Sequence, residues 1–533
     1  VSAASKPAPA PAIVPAIVDV AIVGAGAAGA MLAARFAEAG KSVTVFEAGP
    51  PWDASAMVSS QIWSRRLRWG GPPVATTGKE PIGFGFNAGW GLGGAALHHY
   101  GTWPRLHPAD FTMRSDHQRG LDWPIGYDDL RPYYDRIQRE VGISGDAAAE
   151  VWRPAGDPYP MPPLDPLKQG AVLARAFAAA GKRVAPAPMA INSVDYGNRP
   201  ACIYDGWCDA GCPIMALANP LAIFLPRAEL AGAKILAETP VTRLIASDGK
   251  RIDGVEYRQT SGERAVQRAR LVIIAGSVVG NPALLLNSAS AVHPNGVGNA
   301  HDQVGRYVMT HGLIQILGIF PDETEPHRGV TGAHLISHEH YGKTSTAGAF
   351  GSRQWLIAAA IKPNDLAGLA AARMDLNGPA LDAFMRQAVR HGANMIGMCE
   401  EEPNRDNRVE LTDQVNAWGM RGARMVHGFS DDAKRLWAAM RDEGKAIFKA
   451  GGATDIWHTQ MNSAHLVGGT IMGKDPATSV TDGHGRVHGI DNLYIAGPGL
   501  FPTEGGANPT FTVHAVAERT ADQILRDRPE LFG

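Results

Sequence analysis

The sequence predicts an α/β protein: a parallel-sheet domain assembled from discontinuous segments, joined to an α+β domain with an antiparallel sheet. Three observations carry this reading. A strand, a glycine-rich turn, a helix and a second strand follow one another between Val18 and Pro50. Apolar strands ending in Ala-Gly recur far downstream, at Arg270–Gly276 and from Asn492. Between these, residues 311–454 change character, with apolar runs such as LIQILGIF and NMIGM alternating with helical stretches.

The first stretch is the most specific. Val18, Val20, Ala21, Ile22 and Val23 form a short apolar run bounded by glycine, the pattern of a buried parallel strand. Gly24, Gly26 and Gly29 complete Gly-x-Gly-x-x-Gly. The first glycine allows a tight turn, the second lets backbone approach a pyrophosphate, and the third lets the helix pack close to its strand. That helix is expected over Ala27–Ala39, with Ala28, Leu32 and Phe36 on one face and Gly40 ending it. Val43–Phe46 reads as the second strand. Glu47 stands at its end, where a carboxylate accepts hydrogen bonds from a ribose. In a chain with 62 glycines the bare pattern is weak. The ordered strand, glycines, helix, strand and acid make it a Rossmann-like dinucleotide site. The acid favours a free 2′-hydroxyl, so NAD or FAD rather than NADP.

At 533 residues the chain exceeds one simple core, and two intertwined or successive domains are expected. A net charge of −2 gives no sign of nucleic acid or an anionic membrane as partner. No apolar run reaches the ~18 residues a spanning helix needs. Residues 1–15, VSAASKPAPAPAIVP, read as a Pro/Ala-rich mobile linker without the pattern of a signal peptide. The chain begins at Val1, which fits either an export signal already removed or an arbitrary start.

After Pro50 a loop-rich stretch ends in a second glycine cluster, Gly83–Gly101. Asp122 and Pro124 set a turn, and Tyr127–Val141 reads as an exposed amphipathic helix. Residues 152–167 are Pro-rich and read as a surface loop. Helices follow at Gln169–Gly181 and near Leu221–Ala231, then a strand through Val241, Leu244 and Ile245. Leu381–His391 and Thr512–Arg526 read as later helices. The expected division is 16–100, 196–310 and 455–533 for the dinucleotide domain, with 101–195 and 311–454 on the substrate side.

The chain has four cysteines, too few for a disulfide scaffold. Cys399 reads as a small buried hydrophobe. Cys202, Cys208 and Cys212 crowd onto one short loop. Soft thiolates at such spacing suit iron–sulfur or zinc. A four-ligand site lacks its fourth cysteine, whereas three fit a three-iron, four-sulfur cluster with one vacant corner. Zinc completed by Asp or His, or a disulfide beside a free thiol, are the alternatives.

The stretches VGAGAAGA, LGGAALHH, VIIAGSVVGNPALLL, VGRYVMTHG, EEEPNRDNRVEL, HLVGGTIMG and GANPTFTVHA together resemble the glucose–methanol–choline (GMC) oxidoreductase family. The resemblance covers nearly the whole chain after residue 16. DWPIGYDDLRPYYDRI and CIYDGWCDAGCPIMA are similar to the large subunits of bacterial membrane-linked sugar dehydrogenases, the glucose, fructose, gluconate and sorbitol type. The resemblance implies an FAD enzyme that oxidises a sugar or other alcohol, with a 3Fe-4S cluster on Cys202, Cys208 and Cys212. It further implies a small subunit, a c-type cytochrome as electron acceptor, and a periplasmic site attached to the membrane only through a partner.

The same resemblance assigns residues. Gly24, Gly26, Gly29 and Glu47 are expected to hold FAD, with Gly93 and Gly94 close to the flavin and Gly497, Asn508, Pro509 and Thr510 completing the set. His98 matches a histidine that some relatives, pyranose oxidases among them, join covalently to the flavin. His99 stands where tryptophan is usual, so a covalent link and simple packing both stay open. His465 matches the catalytic histidine and Asn508 its partner. His458, His484, His488 and His514 read as structural or solvent-facing. A non-sugar alcohol, such as an aromatic one, stays open because 311–454 departs from the sugar enzymes. The alternatives are a stand-alone oxidase or dye-linked alcohol dehydrogenase with structural thiols, and a non-catalytic flavin-fold binding protein. His465 and Asn508 argue against the last.

Overall fold

The computed structural model describes residues 16–533 except Ala372, so the expected linker at 1–15 lies outside the described residues. Val18–Val23 sits inside a parallel sheet, between Val43–Phe46 and the second half of Arg264–Ile274. Lys234–Leu236 extends one edge and Leu493–Ile495 the other, both parallel. The strands read as continuous apolar runs because helices and loops cover both faces. Arg264–Ile274 serves two partners in turn. Its first half alternates exposed and buried residues and pairs antiparallel with Gly254–Arg258, which pairs with Val241–Ile245. Its second half is continuously buried and joins the parallel sheet.

Helix Ala27–Glu38 links the first two strands and is buried against Phe224–Leu230 and Thr510–Asp527. It lies so close to its own turn that a Cβ at Gly29 would stand 2.0 Å from the Gly24 carbonyl oxygen. Tyr127–Val141 is the expected helix, but it is not simply exposed. Tyr127, Leu130, Tyr134, Ile137 and Val141 form a buried stripe facing Thr510–Asp527.

The second sheet is antiparallel, in the order Asp455–His458, Met309–Ile319, Gly392–Cys399, Arg353–Ile357, Leu335–Ser337, Ala185–Pro186. LIQILGIF and NMIGM lie in its two longest strands. One face packs on helices Leu167–Ala179 and Asp431–Ala450 through Leu173, Phe177, Ile316, Trp355 and Met440. The strands Asp455–His458 and Asn462–Val467 were expected with the dinucleotide-binding segments. They pair instead along Met309–Ile319 in this second sheet. A small third sheet joins Arg408–Val415, Arg421–Val426 and Ala75–Thr77.

The Gly29 contact makes a direct prediction. Gly29→Ala should cost at least about 3 kcal/mol, because backbone cannot retreat as a flexible side chain does. Gly26→Ala should cost under about 1 kcal/mol, since an added Cβ there meets nothing within 4 Å. Urea unfolding of both variants checks this, and equal midpoints would contradict the close packing.

Candidate active site

The glycine turn forms one end of the site. The Gly24 N–H donates to the Phe46 carbonyl at 2.8 Å, tying the turn to the second strand. Helix Ala27–Glu38 starts at Gly26, so its first N–H groups and dipole are aimed at whatever lies beyond that glycine. Glu47 is buried at the strand end. It accepts from the Ala25 N–H at 3.1 Å and the Gly49 N–H at 2.9 Å. Burial raises its pKa, and these backbone donors oppose the rise. Glu47 therefore braces the turn and keeps lone pairs for a further donor. The second glycine pair packs onto the first. The Gly93 N–H donates to the Ala25 carbonyl at 3.0 Å, and a Cβ at Gly94 would stand 3.1 Å from the Gly26 Cα.

A cavity of about 440 Å³ runs from this turn to the antiparallel sheet. Of the residues singled out from sequence, Gly24, Gly26, Glu47, Gly94, His98, His465, Gly497, Asn508, Pro509 and Thr510 all line it. Gly29 and Gly93 support the wall from behind, by the contacts given above. Trp90 and Trp418 also line it, their rings stacked at 5.9 Å. Sequence reasoning missed this pair, whose members are brought together only by the third sheet's hairpin. The glycine floor, the helix N-terminus and the buried acid fit FAD. His98 is buried with Nε2 3.3 Å from the Ala88 carbonyl, and burial lowers its pKa to about 4.

His465 and Asn508 come together at the far end, with Asn508 Nδ2 3.4 Å from His465 Nε2. His465 lies in strand Asn462–Val467 at φ +67°, where the pairing register shifts between Ala464 and Val467. A non-glycine residue in the left-handed region at a bulge is a strained device that re-aims a side chain. Behind Asn508 runs a chain of polar groups. Gln354 Nε2 donates to Asn508 Oδ1 at 3.0 Å, and Gln354 Oε1 lies 2.8 Å from His338 Nε2. His107 Nε2 then lies 3.2 Å from His338 Nδ1. This chain sets the direction of every donor. Asn508 turns its amide N–H₂ toward His465 Nε2, the arrangement that suits a lone pair on that nitrogen, while Nδ1 is buried without a partner. Burial lowers the His465 pKa to about 4, well below the ordinary 6.5 expected for it, so the ring is neutral at pH 7.

His311 stands edge-on to His465, ring centroids 5.3 Å apart, with Nε2 3.0 Å from the Gly505 carbonyl. Its Nδ1 lies 3.8 Å from Glu504 Oε2, and burial pushes the Glu504 carboxyl well above the usual range. Gln354, His338, His311 and Glu504 carried no signal of their own in sequence, although His311 and Glu504 fall in or beside stretches that carry the family resemblance. His458, His484, His488 and His514 are held by Thr459, Arg519, Ser479 and Thr510, away from this pair.

Cys202, Cys208 and Cys212 are free thiols in an apolar cluster with Met189, Ile191, Leu217 and Ile336. Each sulfur accepts one backbone N–H: Tyr204 to Cys202 and Leu217 to Cys212 at 3.3 Å, Thr331 to Cys208 at 3.5 Å. Burial pushes Cys202 up to about 12 and raises the other two as well. Among the described residues, no group of three or more His, Cys, Asp or Glu is placed to hold a metal ion. Three thiols on one loop are the donor type an iron–sulfur cluster takes, and here each stands as a free thiol. Cys399 is the buried small hydrophobe expected.

A parallel sheet with glycines closing its carboxyl end, a cavity along them and a histidine opposite define a dinucleotide-dependent oxidoreductase. More narrowly, the chain belongs to the GMC oxidoreductase family, whose model matches residues 19–312 and 403–517. It is an FAD-dependent enzyme acting on CH–OH groups. It is 29% identical to the fructose dehydrogenase large subunit of Gluconobacter japonicus over 96% of this chain and 98% of that one. Identity to 2-methyl-1,2-propanediol dehydrogenase of Mycolicibacterium austroafricanum is 28%, over 95% of each. Pyridoxine 4-oxidase from Mesorbium loti shares the fold, with a TM-score of 0.63 at 18% identity, covering 95% of this chain and 99% of that one.

The buried imidazoles set the acid limit of the fold. Burial lowers His98, His99, His107, His334, His465 and His514 to about 4 and His338 to about 3, and it holds His311 well below its usual value. Unfolded, each takes a proton near pH 6.5; folded, each resists until about 4. Their contribution is complete above about pH 6.5 and is lost as pH falls toward 4. Glu150, raised by burial to about 7, and Glu401, to about 8, have the opposite sign and cost stability as pH rises through those values. The melting temperature should therefore peak near pH 6–7 and fall steeply from about pH 6 to 4. A flat profile across that interval, followed by thermal melting, would show that these rings are not buried neutral.

Proposed function

We propose that this chain is the catalytic subunit of a dehydrogenase in which His465 takes the hydroxyl proton of an alcohol while Asn508 aims the carbon that loses a hydride. The observation that carries this is the His465–Asn508 pair at the cavity end, with its lone pair oriented by Gln354. FAD, held along the cavity by Gly24, Gly26, Gly29 and Glu47 with Gly93, Gly94, Gly497, Pro509 and Thr510, supplies the hydride acceptor. At 3.4 Å the Asn508–His465 contact is long for a hydrogen bond, which leaves room for an oxygen to be shared between them. The substrate hydroxyl donates to Nε2 and accepts from the Asn508 amide, so proton removal and carbon placement come from one geometry. We assign 16–100, 196–310 and 468–533 to FAD, and 101–195 and 311–467 to the substrate side.

His465→Ala should lower the flavin-reduction rate by at least about 10²-fold while FAD stays bound. The loss should shrink as pH rises, because hydroxide partly replaces the missing base. Asn508→Ala should be slow without that rescue. The wild-type rate should be flat above about pH 5 and fall below about 4, where the ring takes its proton. A near wild-type rate for His465→Ala at neutral pH would remove the assignment.

We further propose that electrons leave through a 3Fe-4S cluster on Cys202, Cys208 and Cys212 to a c-type cytochrome, with a small subunit, on the periplasmic side. The cysteine spacing supports this, as does the relative described as a large subunit. So does the loop itself, where Tyr204, Cys212 and Met215 all hold positive φ. Among the described residues no helix is long and apolar enough to cross a membrane, so attachment would be through a partner. The second reading, a stand-alone enzyme with structural thiols, is favoured by the lack of a metal-binding arrangement among the described residues. One preparation decides between them. About three irons per chain and a three-iron paramagnetic signal support the cluster; iron-free protein with full activity toward a dye removes it. Acid precipitation of the same sample tests His98, since flavin left in the pellet means a covalent link.

A further inference from the structure

The chamber beside His465 and Asn508 is roofed by one face of the antiparallel sheet. Leu313, Leu356, Ile396 and Met398 line it. They form one patch by register, with Leu313 opposite Met398 and Leu356 opposite Ile396. Gln354 belongs to the same face, opposite Met398, and its Nε2 touches the Met398 sulfur at 3.7 Å. Both ends of that amide are already engaged, by His338 and Asn508. The side wall carries Phe86 and Tyr100, ring centroids 6.3 Å apart and edge to face. Beside them Asn87 reaches Ser463, two residues before His465, and its Oδ1 is buried without a partner.

We infer that this chamber takes an alcohol with an apolar body, an aromatic ring or hydrocarbon chain, and not a sugar or other polyol. The inference rests on the reading of His465 and Asn508 as the reacting pair. A polyol carries hydroxyls on every side of the reacting carbon. Against the roof they meet the exposed parts of Leu313 and Ile396, with Leu356 and Met398 closing the patch, and each hydroxyl buried there without a partner weakens binding by about tenfold or more. Asn87 and Tyr100 can hold one polar substituent at the side, such as a phenol or ether oxygen. They cannot serve a ring of hydroxyls. Leu313 and Ile396 are partly accessible where Leu356 and Met398 are sealed, and Gln315 opposite Ile396 has its amide tied to Asn394, so the two apolar side chains present surface that a substrate can cover.

The test uses the wild-type holoenzyme with an artificial electron acceptor. The probes are benzyl alcohol, cinnamyl alcohol and 1-octanol, set against glucose, fructose, sorbitol and glycerol. The best apolar alcohol should exceed every polyol by at least about 10²-fold in kcat/KM. A polyol that equals or exceeds it overturns this inference and leaves alcohol oxidation standing. If no probe reduces the flavin, both fail. Ile396→Asn, checked for bound flavin, should raise KM for the apolar alcohol by about tenfold or more and change kcat little. An unchanged KM would show that the roof does not meet the substrate.

Discussion

Backbone against backbone is the contact on which the rest of this structure depends. A side chain at Gly24 would meet the Ala275 carbonyl oxygen at 2.6 Å, and one at Gly49 would meet the Gly91 nitrogen at 2.3 Å. Segments from near residues 24, 49, 91 and 275 therefore converge within van der Waals distance at the carboxyl end of the parallel sheet. That convergence removes side chains from one end of the cavity and leaves peptide N–H groups and a helix terminus there. Such a surface binds an anion without a dedicated cation. It also explains why so large a part of the chain must fold before the cofactor site exists. The glycines gain nothing alone; each is needed because another stretch of backbone passes over it.

The end that carries His465 and Asn508 is organised differently, by buried charge. Lys343 Nζ lies 2.6 Å from Asp110 and 2.7 Å from Glu400, all three fully buried. Burial alone would discharge the lysine, but the two carboxylates outweigh it and hold it protonated. Tyr341 donates to Asp110 at 2.8 Å and accepts from the Gly506 N–H at 3.1 Å. Thr503 donates to the Asp110 carbonyl, and Trp123 donates to Thr503. The loop that ends at Asn508 is thus anchored at Thr503 and Gly506 to one ion cluster. Removing a single member of such a cluster leaves an uncompensated charge and costs about 3–5 kcal/mol. The cluster is an expensive way to gain stability, and its geometric result is a loop that cannot drift away from His465.

Legibility in the sequence followed the range of the interaction. The first strand, glycine turn, helix and second strand lie within Val18–Glu47, where period and turn chemistry act locally, and they stand as read. The antiparallel sheet was legible as apolar runs but not as pairings. Asp455–His458 and Asn462–Val467 carry no mark that says which sheet they join, because strand partners are chosen by registry with residues some 140 positions away. Gln354 is the clearest case. It is one glutamine in an apolar strand, and its importance comes only from His338 on one side and Asn508 on the other. His465 was found by resemblance and not by chemistry. Nothing in the sequence shows the positive φ, the bulge or the burial that lowers its pKa.

That lowered pKa and the oriented amide belong to one argument. A base of pKa about 4 is weaker than free imidazole, which on its own would slow proton removal. Burial offers two compensations. The ring is unprotonated at any pH near neutrality, so none of the enzyme is lost to the charged form. The chain from His107 through His338, Gln354 and Asn508 aims an amide N–H₂ at Nε2, which favours the tautomer with its lone pair on that nitrogen. In the proposed reaction an alcohol proton would move onto this ring as the hydride leaves, when the substrate oxygen is becoming a carbonyl and the proton is far more acidic than in the free alcohol. A weak base held in one tautomer at a fixed place suits that moment better than a strong base that must first lose a proton and then find its orientation.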